Sequence, residues 1–287
     1  MQLKKISIGS AQFGQKYGVT DTRYLKNSEI KEILLYAKTK NINSIDTAYN
    51  YGNAESRLGK IGIRKWKVST KIPKIPRNTN EKNWIESKLK ISLKRLKINN
   101  LETLFLHHVD QSRGYFSNKR IFRCMEKLKK EGFIKNIGIS IYDIDDKKKL
   151  IKDFQIDTIQ APGNLFDNRI FKKKNQELLK QFKIKLEIRS IFLQGLILEN
   201  PKKISIKFKK YLPYFEKLFD LNKKYNSSAI NSALSILKMQ RYNKLIIGVK
   251  SKDELKEIIL ENQKKKNLKF PKFNIKNRKY LINPYLW

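Results

Sequence analysis

The stretch Lys5-Ile-Ser-Ile-Gly-Ser10, running straight into Ala11-Gln-Phe-Gly14, decides between two α/β architectures. A short apolar run stopped by a glycine turn reads as a strand buried on both faces. In an open, doubly wound sheet, the turn after such a first strand carries Gly-x-Gly-x-x-Gly, which lets a pyrophosphate reach the backbone. Here the turn reads Gly9-Ser-Ala-Gln-Phe-Gly14, which does not fit. The other architecture is a closed barrel.

Outward from that run, strand candidates cover residues 5–10, 44–48, 67–72, 102–108, 136–140, 158–162, 186–191 and 245–249. Most are aliphatic or β-branched, as buried parallel strands should be. Helical patterns lie between them. Ile30, Ile33, Leu34 and Ala37 form one stripe, with Asn27 or Ser28 as its cap, and Ile85, Leu89, Leu93 and Leu96 form another. Further amphipathic runs cover 121–131, 145–152, 169–182, 228–239 and 252–260. Eight strands alternating with about eight helices predict a single α/β domain, a (β/α)8 TIM barrel spanning 1–287. The longest interruption, 194–226, reads as a flap over a ligand or an extra surface helix. The Lys-rich tail, 271–287, is expected to lie across the barrel mouth.

The net charge of +38 points first to a polyanion partner. The basic residues are 52 Lys and only 12 Arg, however, and base and phosphate readers lean on the bidentate Arg fork. Runs such as Lys147–Lys149 and Lys264–Lys266 read as solvated helix faces. Weak, nonspecific polyanion binding at low salt is expected, and no specific nucleic-acid partner. The single cysteine, Cys124, allows no internal disulfide. No leader pattern and no long apolar run is present, so no membrane span is expected and the reading is cytoplasmic.

Active-site residues of a barrel sit at the C-terminal ends of its strands. The apolar runs end, in order, in Ser10, Asp46, Lys71, His107, Ser140, Gln160, Arg189 and Gly248. Asp, Lys and His are costly to bury unpaired, so three of them beside Tyr51 mark a titratable cluster on one rim. Taken singly, each has a plain structural role: an ion-pair partner, a packing ring, one lysine of many, a satisfied core histidine. His107, His108 and Asp110 lack a regularly spaced further ligand, so no metal site is expected.

The stretch Asp46-Thr-Ala-Tyr-Asn-Tyr51-Gly resembles a motif of the aldo-keto reductases, with Asp and Tyr five apart. Val68-Ser-Thr-Lys71, Ser92-Leu-Lys-Arg-Leu96, Leu104-Phe-Leu-His107, Gly132-Phe-Ile-Lys-Asn-Ile-Gly-Ile-Ser140, Ile159-Gln160 and Ile246-Ile-Gly248 resemble further segments in the same order. The likeness runs from about residue 5 to 260. It implies a barrel enzyme that moves a hydride between a nicotinamide cofactor and a carbonyl or alcohol, with Tyr51, Lys71, Asp46 and His107 as catalytic residues. Carbonyl reduction leaves an alkoxide that needs a proton. Tyrosine alone is a poor acid, but a Lys ammonium about 4 Å away is worth roughly 4 kcal/mol, about three pKa units. In this reading Asp46 keeps Lys71 charged and His107 orients the substrate oxygen.

The resemblance also assigns the cofactor contacts. Ser140 and Gln160 match positions that hold the nicotinamide carboxamide, and Ile141 stands where the family often has Asn. Arg189 or Phe192 would stack on the ring. Gly9, Ser10 and Gly195 would border the dinucleotide, Gly248 would approach its 2′-phosphate end, and Lys250, Ser251 or Lys252 would hold that phosphate. Glu254 stands where the family commonly has Arg. NADPH is favoured, with NADH possible. The partner is a small carbonyl or sugar-like substrate, with Phe13, Tyr17, Tyr49, His108 and the tail as its walls. The opening Gly9–Gly18 and the ending Tyr285-Leu-Trp287 resemble a bacterial branch linked to sugar or surface-polysaccharide metabolism. Competing readings are a regulatory subunit that binds cofactor without turnover, and a polyanion-binding protein.

Overall fold

The computed structural model describes residues 2–19, 23–109, 114–238, 240–264, 270, 271, 273, 275, 278–283, 286 and 287. The opening run forms β1 (Ile6–Gly9) and the glycine turn a one-turn helix, α1 (Ala11–Gly14). Then follow α2 (Asn27–Thr39), β2 (Ser44–Asp46), α3 (Ala54–Ile61), β3 (Lys67–Ile72), α4 (Glu81–Leu96), β4 (Leu101–Leu106), α5 (Tyr115–Lys130) and β5 (Ile134–Ser140). The second half holds α6 (Lys148–Asp153), β6 (Thr158–Pro162), α7 (Lys173–Gln181), β7 (Lys185–Arg189), α8 (Leu212–Lys224), α9 (Ala229–Ser235), β8 (Lys244–Gly248), α10 (Lys252–Gln263) and α11 (Lys279–Ile282). The strands pair in parallel in chain order, and β8 closes onto β1 with Gly9 opposite Gly248. All eight expected strands are present, with ends shifted by one or two residues.

Helix α3 departs from the expectation, and α8 meets one of its two alternatives. Ala54–Ile61 had no place in the sequence reading, because its buried residues include Glu55, Arg57 and Gly59, which blur an apolar stripe. Leu212–Lys224 is the extra helix within the long interruption. Helix α2 is capped by neither Asn27 nor Ser28: Lys26 stands at the cap, its N–H donating to Glu29 Oε2 at 2.6 Å. Asn27 is occupied elsewhere, accepting from Arg57 Nε at 2.6 Å. Asp110, Met239, Lys265, Lys266 and Tyr285 lie outside the described residues.

The strands alternate more than their composition implied. Ile45, Val68, Ile159, Leu186 and Ile188 pack outward into one continuous hydrophobic layer under the helices. Ser44 and Asp46, Ser69 and Lys71, Thr158 and Gln160, Glu187 and Arg189 occupy the other face, and all but Arg189 are buried. Asp46 touches Lys71 and Gln160, and Gln160 touches Glu187, so this second face is the barrel lumen. The lumen of this barrel is therefore largely polar. Among the described residues no helix is long and apolar enough to cross a membrane.

The described part of the tail packs beside the strand C-termini. Phe273 meets Phe166 edge-on at 5.0 Å, and Trp287 meets Phe208 at 5.0 Å.

Gly14 explains the second glycine of the opening turn. A Cβ there would lie 1.8 Å from Tyr51 O, and one at Gly52 (φ +53°) 2.1 Å from Gly14 O. The turn after β1 and the loop carrying Tyr51 thus meet backbone to backbone, tied by Asn53 N donating to Gly14 O at 3.2 Å. Gly14→Ala is expected to force this contact apart and to destabilise the fold by about 1–3 kcal/mol. Urea denaturation measures this, and an unchanged midpoint would contradict the contact.

Candidate active site

At the C-terminal end of the barrel the strand-end residues surround a cavity of about 800 Å³. β2 delivers Asp46 and β3 delivers Lys71, which reach each other inside the lumen. Lys71 Nζ donates to Asp46 Oδ2 at 2.6 Å and to Thr47 O at 2.9 Å. Both side chains are almost fully buried. Burial pushes the Lys71 ammonium below its ordinary range; the Asp46 carboxylate, and behind it Glu187, pull it back up.

Tyr51 sits on the turn after β2, where its N–H donates to Ala48 O at 3.0 Å and its carbonyl starts α3. Lys71 Nζ lies 5.2 Å from the centre of its ring. His107 follows β4, its N–H bound to Ile72 O at 3.1 Å, and its ring meets Tyr51 edge-on at 5.9 Å. Carboxylate, ammonium, phenol and imidazole thus converge on one wall.

Burial, then the charges of Lys71 and Arg189 and coupling to His108, push His107 down to about 2, so its imidazole is neutral at working pH. Its Nδ1 has no partner. His108, expected as a substrate wall, lies in the loop after β4. It stacks on His107 at 4.9 Å and lines the cavity, because β4 ends at Leu106 and strand alternation no longer applies. Among the described residues no group of His, Cys, Asp and Glu is arranged to hold a metal ion. Cys124 stands apart on α5, and burial pushes its thiol up to about 11.

Gly9, Ser10, Ser140, Gln160, Arg189, Phe192, Gly195, Gly248 and Lys250 all line the cavity. Ser251 does not. Its hydroxyl caps α10, accepting from Glu254 N at 3.0 Å. Phe13 and Tyr49 are not walls either. Phe13 is buried in the core, and Tyr49 faces away, covered by Arg95 at 4.4 Å. Tyr17 lines the cavity, whereas no described tail residue does. Arg189 and Phe192 both border it, with the Arg189 guanidinium 4.5 Å over the Tyr142 ring and bonded to Ile141 O at 3.2 Å.

Three features fit a dinucleotide. Gln160 Oε1 and Ser10 Oγ are buried without a partner, which leaves them to a ligand. Gly248 lies against Gln12, whose Nε2 a Cβ would meet at 2.8 Å, so bare backbone forms the floor. The loop after β7 borders the opening with Ser190, Leu193 and Gln194 all at positive φ, and Gln194 O accepts from Val19 N at 3.3 Å. Backbone strain of this kind gathers at ligand clamps. The sequence reading missed Gln12, Glu187, Tyr142 and Gln194. Only Glu187 carried a signal, standing two residues before Arg189 and so on the same strand face.

Comparison with known proteins identifies the family. The aldo/keto reductase family model matches residues 5–268, and the chain belongs to that family. A glyoxal reductase of Bacillus subtilis is 30% identical over 188 residues, 64% of this chain and 66% of that protein. An uncharacterized oxidoreductase of Schizosaccharomyces pombe is 28% identical over 149 residues, 48% of this chain and 46% of that protein. The matches thus span less than two thirds of these relatives' lengths. The holo form of an aldo-keto reductase from Bacillus halodurans shares the fold with a TM-score of 0.71 at 18% identity, over 90% of this chain and 86% of that one.

The neutral, buried His107 has a stability consequence. Below the ordinary imidazole value of 6.5 the unfolded chain takes up a proton that the folded chain refuses. Its contribution is therefore complete above that value and is lost as pH falls, at up to about 1.4 kcal/mol per pH unit. His107→Gln is expected to lose less stability than wild type between about pH 7 and about pH 5. Parallel urea curves for the two proteins over that range would contradict the assignment.

Proposed function

We propose that the chain is an NAD(P)(H)-dependent oxidoreductase that interconverts a carbonyl and an alcohol, with Tyr51 as general acid and base. The observation that carries this reading is the convergence of Tyr51, Lys71, Asp46 and His107 on one wall of the cavity. When bound, the reduced nicotinamide supplies the hydride. Tyr51 gives its hydroxyl proton to the oxygen that becomes an alkoxide. Lys71 favours the phenolate left behind, and Asp46 holds the ammonium in place and in its charged form. Neutral His107 offers an N–H to the substrate oxygen and fixes its direction. In the reverse direction the phenolate takes the alcohol proton.

Gln160 Oε1 and Ser140 would hold the carboxamide, and Arg189 and Phe192 offer the flat surfaces beside the ring. Gly9, Ser10, Gly195 and Gly248 would border the phosphates. Lys250 on the lining supports NADPH ahead of NADH, while Glu254 and Glu257 on the same wall keep NADH as the alternative. Tyr17 and His108 supply the substrate walls. An aldehyde, a ketone or a sugar-like hydroxyl fits this chemistry, and the name of the Bacillus subtilis relative puts glyoxal on the substrate panel.

Both dinucleotides are titrated against intrinsic fluorescence, and aldehydes, glyoxal and sugars are screened with wild type and Tyr51→Phe. Dinucleotide binding is expected in both proteins, with turnover reduced at least about 100-fold in the variant. Equal turnover removes Tyr51 as the acid. Binding without turnover of any substrate favours a regulatory subunit, and absence of binding removes the oxidoreductase reading.

A further inference from the structure

Glu187 is a buried carboxylate that the proposed reaction does not use. It lies in the barrel lumen on β7, in one register row with Gln160 on β6 and Lys244 on β8. Its two oxygens face different partners. Oε2 accepts from Gln160 Nε2 at 3.3 Å, and Oε1 lies 3.7 Å from Lys244 Nζ. The same Gln160 nitrogen donates to Asp46 Oδ1 at 2.8 Å.

An amide nitrogen has two hydrogens, and a carboxylate only accepts. Burial raises the Glu187 carboxyl, while Lys244 at 3.7 Å and the Gln160 N–H draw it back toward the ionised form. Asp46 and Glu187 therefore take both N–H groups of Gln160. The amide cannot turn over without setting its carbonyl oxygen against two carboxylates. That pins Oε1 in the opposite direction, and Oε1 is the buried atom without a partner in a residue that lines the cavity. We infer that Glu187 is a positioning residue, which locks the Gln160 carbonyl toward the cavity so that it accepts an N–H from the ligand's carboxamide. The inference rests on the dinucleotide reading above.

Glu187→Gln tests it with little change of shape. The new side chain has one oxygen, which the Lys244 ammonium claims. Its NH₂ then faces the Gln160 nitrogen, donor against donor. Gln160 relieves this by turning, which withdraws its carbonyl from the cavity and presents N–H there instead.

The probe is a pair of ligands: the dinucleotide that wild type binds, and its acetylpyridine analogue, in which a methyl ketone replaces the carboxamide. The ketone accepts a hydrogen bond but donates none. Dissociation constants are measured by fluorescence for both ligands with both proteins. Wild type is expected to prefer the carboxamide about tenfold, the worth of one buried hydrogen bond. Glu187→Gln is expected to bring that preference below about twofold or to reverse it. A purely structural role weakens both ligands by one factor and leaves the ratio unchanged, and that result overturns the inference. Equal wild-type affinity for the two ligands overturns it without any variant. The same ratio measured on Glu187→Met, where Lys244 can extend toward solvent, replaces the glutamine variant if that one does not fold. A wild type that binds neither ligand removes the dinucleotide reading and this inference together, whereas equal binding of both removes only the inference.

Discussion

Everything at the mouth of this barrel depends on one buried ion pair, Lys71 with Asp46 at 2.6 Å. An isolated charge in the lumen is prohibitively costly, and removing one partner of a buried pair costs about 3–5 kcal/mol. Neither residue is therefore free to change alone. The pair also recruits its neighbours, since Asp46 has a second oxygen to satisfy and Gln160 satisfies it. Gln160 in turn needs Glu187, and Glu187 needs Lys244. Five side chains from five strands form one hydrogen-bonded and ion-paired chain across the lumen. It exists only because the sheet closes, which brings the β2 and β6 side chains within reach across the barrel.

Around that chain the site is arranged so that charge is confined to one place. The ammonium is held by a carboxylate and a backbone carbonyl, while the imidazole beside it stays neutral because it is buried among positive groups. A neutral ring can donate a hydrogen bond without adding a second cation to the wall. The phenol is brought against both by the loop after β2, and that loop depends on the contact between Gly14 and Gly52. The placement of the phenol and the permissiveness of two glycines are one constraint.

The surface follows different physics. With 64 basic and 26 acidic residues, acidic groups are scarce and several are shared. Asp145 meets both Lys148 and Lys174, and Lys127 lies between Glu86 and Glu131. Exposed pairs of this kind contribute little each. The more ordered pairs, such as Arg169 with Asp167 and Asp143, sit where loops converge near the site. The excess of lysine is thus a property of the solvated shell and leaves the lumen chemistry untouched.

Much of this was legible in the residues. The eight apolar runs are strands, and their terminal Asp46, Lys71 and His107 lie together with Tyr51 because a parallel barrel puts every strand end on one rim. What composition hid was the second face of each strand. Ser44, Ser69, Thr158 and Glu187 read as interruptions in an aliphatic run, yet they build the polar lumen. Helix α3 was invisible because charged residues with partners on other elements stand in its buried face: Glu55 bonds to Thr70, and Arg57 holds Phe13 O and Leu25 O. Local periodicity determines element and order, since it needs only neighbours in the chain. Which polar atom satisfies which other depends on strands far apart in sequence, such as Asp46 and Gln160. Only the closed tertiary structure decided that, because only burial makes an unmatched hydrogen bond too costly to leave.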